Sequence, residues 1–196
     1  MGSIILMGIK HCGKSTQGRL LSQELSIPFF DTDEIIEHDT GMSAREIYAV
    51  RGVNAFMDAE VSACKSIVSC IASDSEKNDY DAVIATGGGI CNNTDAIAVL
   101  RPIGTFVFLV APEKVAADRI VREARIGQDG KISNLPAYIA NKNPESLEDV
   151  RALFHAFYEE RIKIYADIAD VSVDMDSAPK FVNMRRIISA VRKLEK

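Results

Sequence analysis

Residues Gly8-Ile9-Lys10-His11-Cys12-Gly13-Lys14-Ser15-Thr16 carry the spacing G-x-x-x-x-G-K-[ST]. An apolar run, Ile4-Ile5-Leu6-Met7, leads into it, and a helix-like segment, Gln17 to Leu25, leads out. A strand, a glycine-rich loop and a helix in that order build an anion cradle. The loop amides and the helix N-terminus converge on one spot, where phosphate oxygens satisfy them. Lys14 then reaches the outer phosphates of a nucleoside triphosphate, and the Ser15 hydroxyl is placed to ligate Mg²⁺. Gly8, His11, Cys12, Gly13, Lys14, Ser15 and Thr16 are the expected nucleotide-binding residues.

The rest of the chain alternates in the same manner. Strand-like runs fall at Ser3–Met7, Pro28–Phe30, Ala82–Ala85, Thr105–Val110 and Val171–Val173, with helical stretches between them. This predicts an α/β fold, a P-loop three-layer α/β/α sandwich around a central, mostly parallel five-stranded sheet, in one domain spanning residues 1–196. Ligands of such sheets sit beyond the carboxyl ends of the strands, where Gly8, Asp31 and Gly87 fall. A last helix, Phe181 to Leu194, places Phe181, Met184, Ile187, Ile188, Val191 and Leu194 on one core-facing stripe. Residues 126–146 break the pattern: Gly127, Asp129-Gly130, Pro136 and Pro144 punctuate a long polar stretch, and a lid over the phosphate site, at about residues 122–146, is expected there.

Charge narrows the partners. With 23 Lys and Arg against 28 Asp and Glu, the net charge is −5, and no nucleic-acid partner is expected. No apolar run has membrane-spanning length and no secretion signal is read, so the expectation is a cytoplasmic protein, a monomer, with small-molecule ligands and no membrane partner. Cys12, Cys64, Cys70 and Cys91 show neither metal-ligand pairing nor a disulfide framework. Cys12 lies beside Lys14 and a helix N-terminus, both of which favour a thiolate, but a small side chain that fits the loop is the better explanation.

Three further patches carry chemistry. Phe29-Phe30-Asp31-Thr32-Asp33 ends a strand with two carboxylates, which extended chain would point to one side. Thr32 or Asp33 could instead cap a helix beginning at Glu34. The loop needs a second metal anchor, however, and the strand Ala82-Val83-Ile84-Ala85-Thr86 carries no acid after it, so Asp31 is the available one. Gly87-Gly88-Gly89 exposes backbone amides and lets a ligand approach closely, and Asn92 is placed to cap the next helix. Arg161 falls near the middle of an apolar arc formed by Leu147, Val150, Leu153, Phe154, Phe157, Tyr158, Ile162 and Tyr165 on a helix from Leu147 to Tyr165. An arginine there needs an anion, which is either an internal carboxylate or a bound ligand.

With these residues in hand, the chain resembles the shikimate kinases, small members of the nucleoside-monophosphate-kinase-like P-loop group. The resemblance runs almost end to end: the phosphate loop, Asp31-Thr32-Asp33 with Ile36-Glu37, Gly41-Met42-Ser43, Gly52 with Phe56 and Glu60, Thr86-Gly87-Gly88-Gly89, and Arg161 with Tyr165 and Ala169-Asp170. It implies transfer of the γ-phosphoryl of ATP to the 3-hydroxyl of shikimate. Ser15 and Asp31 would serve Mg²⁺, and Asp33 would bind the substrate hydroxyls and orient or deprotonate the attacking one. Gly87, Gly88, Gly89 and Arg161 would hold the acid, Arg161 on its carboxylate, within a helical substrate-binding segment at about residues 33–63.

The chain departs from the family pattern in three places. Met57 stands where the family carries a second arginine for the carboxylate, and Val53 replaces a glutamate. Met57 belongs to the substrate pocket on this alignment, although Met57, Val61, Cys64, Val68 and Ile71 also repeat at packing intervals. Another cation replaces the arginine, or the acid binds more weakly, or the acceptor differs; Arg51 and Lys65 are near in sequence. The loop's usual middle glycine is His11, and the lid lacks the family's Arg-Pro-Leu-Leu, leaving Arg125 as the expected lid contact to ATP, with Arg119 and Arg122 as alternatives. Other kinases of small hydroxylated acids or polyols, and a non-catalytic nucleotide-binding protein, remain as rival readings. A guanine-nucleotide switch is disfavoured because Asn141-Lys142-Asn143-Pro144 lacks the aspartate needed to read guanine.

Overall fold

The computed structural model describes residues 2–73, 80–128 and 130–194. Asp129, one of the lid turn residues, lies outside them. The chain runs β1 (Ser3–Met7), α1 (Lys14–Leu25), β2 (Phe29–Asp31), α2 (Thr32–Thr40), α3 (Ala44–Ser73), β3 (Val83–Ala85), α4 (Thr94–Leu100), β4 (Gly104–Val110), α5 (Glu113–Glu123), β5 (Arg125–Ile126), β6 (Ile132–Ser133), α6 (Ala137–Ala140), α7 (Leu147–Ile168), β7 (Val171–Asp174) and α8 (Lys180–Leu194). The strands lie within a residue of their sequence-predicted ends.

Five strands form one sheet in the order β2-β3-β1-β4-β7, every adjacent pair parallel. Ile5 of β1 sits opposite Ile84 of β3 and Phe106 of β4. All of β1 is buried, as befits an apolar run without alternation in a strand covered on both faces. α1 packs against β3 and α8, α7 lies on β4 beside α5, and α3 packs on α2 and α4. Strand order reverses around β1, so the crevice beyond its carboxyl end is where a ligand is received.

Several local expectations are corrected. α8 buries Met184, Ile187 and Val191, but Phe181 and Leu194 are 54% and 50% exposed. Periodicity selects a helix face; it does not supply a neighbour to cover that face at the helix ends. Within the lid stretch β5 and β6 pair antiparallel, and α6 comes after them. α3 breaks at Gly52, whose φ of 84° and ψ of 177° only glycine adopts readily. Neither Thr32 nor Asp33 caps α2; Asp31 does, its carboxylate accepting the Asp33 amide. Asn93, not Asn92, caps α4, accepting from the Ala96 amide.

Candidate active site

The phosphate loop spans the end of β1 and the start of α1. Gly8 has a φ of 147°, and a Cβ there would lie 2.9 Å from both Cys12 Sγ and the Leu109 carbonyl oxygen. Gly13, with φ 101°, turns the chain into α1. His11 holds a positive φ of 67°, a conformation histidine tolerates better than most residues. Burial holds its imidazole below the ordinary value. Glu123, 3.5 Å away, opposes that, and Lys10, Lys14 and Arg119 reinforce it. Cys12 is buried beneath the loop. Lys14 Nζ donates to the carbonyls of Gly8 at 2.9 Å and Ile9 at 3.0 Å, which pins its charge against the loop.

Ser15 Oγ donates to Asp31 Oδ2 at 2.6 Å, joining the first turn of α1 to the end of β2. Asp31 Oδ1 accepts from the Asp33 amide at 3.1 Å. The two aspartates are therefore neighbours through a helix cap, not through side-by-side projection from a strand. Thr32 Oγ1 accepts from the Gly87 amide at 2.9 Å and so ties this corner to the triple glycine. That bond also means that of the three glycine amides, those of Gly88 and Gly89 are the ones left for a ligand.

A cavity of about 560 Å³ opens beside the loop, with Lys14, Ser15 and Thr16 in its wall. The triple glycine, Arg161 of α7, and Pro136 and Tyr138 of the lid also line it. Asp33, Phe56, Met57 and Glu60 project into it from α2 and α3. Gly87 and Gly88 are needed by close approach. A Cβ on Gly87 would meet Glu60 Oε1 at 2.9 Å and Asp33 Oδ1 at 3.0 Å, and one on Gly88 would meet the Lys10 backbone nitrogen at 2.9 Å. A Cβ on Gly89 would meet no atom beyond its chain neighbours within 4 Å among the described residues.

Desolvation against the cavity wall, then the charge of Asp31, raises the Asp33 carboxyl above its ordinary range, while Lys14 and Lys10 pull the other way. Glu60 is fully buried. Burial pushes it up to about 7, with Asp33 adding to the shift and the Asn93 hydrogen bond opposing it. Asn93 Nδ2 donates to Glu60 Oε2 at 2.9 Å, and Glu60 Oε1 has no partner among the described residues. Sequence reasoning does not single out Glu60 as a site residue. The signal is there: Glu60, Ala63, Cys64 and Ile67 share one buried stripe, and an acid on such a stripe needs the same explanation as Arg161.

Arg161 Nη1 donates to Cys91 Sγ at 2.7 Å, and its guanidinium carbon lies 4.9 Å from the Phe157 ring centroid. Its Nε is buried without a partner, and among the described residues no carboxylate pairs with it. Tyr138 of α6 stacks on Phe157 with ring centroids 3.6 Å apart. Tyr165, one turn beyond Arg161, donates to the Gly88 carbonyl at 3.0 Å. The same helix thus fixes the cation and the glycine loop.

The family model described as shikimate kinase matches residues 10–192. The chain belongs to the shikimate kinase family. Its members are ATP-dependent kinases that phosphorylate a hydroxyl group. A shikimate kinase from Aquifex aeolicus (strain VF5) is 34% identical over 186 residues, covering 95% of this chain and 94% of its own. The crystal structure of shikimate kinase from Aquifex aeolicus superposes with a TM-score of 0.65 at 28% identity, over 98% of this chain and 96% of that one. A shikimate kinase from Acinetobacter baumannii, solved in complex with shikimate, shares the fold at a TM-score of 0.72 and 22% identity, over 96% and 92% of the two chains.

Within this shikimate kinase framework the departures can be placed. Met57 is half-buried and lines the cavity, while Arg51 and Lys65 are exposed and outside its lining. Arg125 opens β5, where it is exposed and outside the cavity lining. Arg119 of α5 is the arginine on the phosphate loop, donating to the His11 carbonyl. It comes from the helix before the lid because α5 runs alongside the loop, a proximity that sequence spacing does not reveal. Ser15 and Asp31 offer hard oxygen donors in contact, a set that suits Mg²⁺ held by one or two protein oxygens with phosphates and water supplying the rest.

Proposed function

We propose that this protein transfers the γ-phosphoryl group of ATP to a hydroxyl of shikimate, giving shikimate 3-phosphate. The observation that carries the reading is one cavity lined by Lys14, Ser15, Asp33 and Arg161, with the Arg161 Nε buried and without a partner among the described residues. A triphosphate and a hydroxylated acid satisfy those groups together.

In this reading the loop amides and Lys14 hold the β- and γ-phosphates of ATP, and Arg119 adds positive charge at the loop's edge. Ser15 and Asp31 hold Mg²⁺, which when bound neutralises charge on the phosphoryl oxygens. Asp33 accepts the proton of the attacking hydroxyl; desolvation and the charge of Asp31 raise its carboxyl above the ordinary aspartate value, which makes it a stronger base than a free aspartate. The amides of Gly88 and Gly89 and the guanidinium of Arg161 orient the acid, Arg161 binding its carboxylate. Closure of the lid carrying Pro136 and Tyr138 excludes water, which otherwise competes with the acceptor for the phosphoryl group. We assign the work to a cytoplasmic monomer, which sedimentation of the pure protein tests.

The deciding experiment is ADP release from ATP with shikimate as acceptor, with the product identified by mass. Met57 favours one second reading: a related hydroxylated acid or polyol as acceptor. Running quinate and gluconate beside shikimate separates the two.

A further inference from the structure

Met57 leaves a gap in the logic of the site. A carboxylate bound by one arginine loses a charge-assisted hydrogen bond, worth roughly 1.5–3 kcal/mol. Outside the phosphate loop, the arginines in the cavity wall among the described residues are Arg161 and Arg45. Arg45 lies in the first turn of α3, one turn before Tyr48, which lines the same mouth. Its guanidinium faces the lid: Nη1 donates to Asn134 Oδ1 at 3.2 Å, and Nη2 donates to the Leu135 carbonyl. Both acceptors are neutral, and a guanidinium carries five donors in a planar fork, so capacity for a carboxylate remains. Asn134 holds a positive φ of 61°, turning the chain so that Leu135 and Pro136 come down on the cavity.

We propose that Arg45 is the second cation for the carboxylate of the acceptor, acting from the cavity mouth in place of an arginine at position 57. Arg45 also holds the lid backbone, so the acid and the lid share one guanidinium, and binding of the acid steadies the closed lid. The exposed setting of Arg45 fits this role. An ion pair there is weak while water reaches it and strengthens once the lid covers it. This inference rests on the acceptor being a hydroxylated acid, as proposed above.

The test compares shikimate with its analogue in which the carboxylate is reduced to a primary alcohol, using wild type, Arg45→Ala, Met57→Arg and the double variant. Wild-type turnover of shikimate is read first, and its absence overturns the functional reading itself. Given turnover, Arg45→Ala is expected to raise KM for shikimate about 10- to 150-fold. The variant should stay folded, lose far less affinity for ATP than for shikimate, and discriminate little against the alcohol. Adding Met57→Arg to Arg45→Ala should restore most of the lost affinity for the acid. An unchanged KM for shikimate, an equal loss for acid and alcohol, or no rescue by Met57→Arg overturns the assignment of Arg45 while leaving the kinase reading standing.

Discussion

Glu60 Oε1 and Asp33 Oδ1 converge on the same face of Gly87, 2.9 Å and 3.0 Å from where its Cβ would be. One carboxylate comes from the first turn of α2 and the other from the buried half of α3, so Gly87 is the point where two walls of the cavity close on the sheet. Gly87→Ala is expected to displace both groups and reduce phosphorylation of the acceptor by at least about tenfold. Gly89→Ala, with open space around it, is expected to be tolerated. Steady-state kinetics of the two variants, with melting curves to confirm folding, checks the contrast.

Lys14→Ala removes the charge held against the Gly8 and Ile9 carbonyls and is expected to lower turnover about 10²- to 10³-fold. The fold should persist, because the loop is shaped by Gly8 and Gly13 backbone angles rather than by the ammonium. Circular dichroism and ATP-binding calorimetry separate loss of nucleotide from loss of structure.

Asp33→Asn is expected to lower turnover about 10²- to 10⁴-fold with ATP affinity retained. In the wild type, kcat/KM for the acceptor should rise with pH as Asp33 ionises. That rise should lie above the range of an ordinary aspartate, because desolvation and Asp31 disfavour the charged form. A pH–rate profile places the acidic limb, and a limb at the ordinary value would remove Asp33 from the role of base.

Glu60 makes stability fall as pH rises. Its carboxyl titrates at about 7 in the fold against an ordinary 4.5, so the folded protein holds the proton more tightly than the unfolded chain. Stability from this group is fully present below 4.5 and is lost as pH climbs through about 7, by an amount on the order of 3 kcal/mol. Glu60→Gln should flatten urea-denaturation stability across that window.

Ser15→Ala is expected to raise the Mg²⁺ concentration needed for half-maximal turnover, since it removes one of the two protein oxygens in contact at the metal corner. Titration of activity with Mg²⁺ at saturating ATP reads the shift.

Much of the fold and the site is legible in the sequence for identifiable reasons. The phosphate loop and the triple glycine are local patterns whose backbone demands are written in residue type, and the parallel sheet comes from apolar runs separated by helices. Arg161 stands out because charge on an apolar face requires an explanation. What escapes depends on contacts between distant segments: Arg119 meeting His11, Arg45 meeting Asn134 and Leu135, and Asn93 meeting Glu60. The nearness of Asp31 and Asp33 is legible in outcome but not in cause, because a strand end that turns at once into a helix obeys capping geometry instead of pleat geometry.

The Tyr138–Phe157 stack has a practical consequence. The chain contains no tryptophan, so Tyr138→Trp would install a sole indole fluorophore on the lid, resting on the same ring that the Arg161 guanidinium overlies. Its emission would report, in real time and on unlabelled ligands, when that segment lifts away from α7.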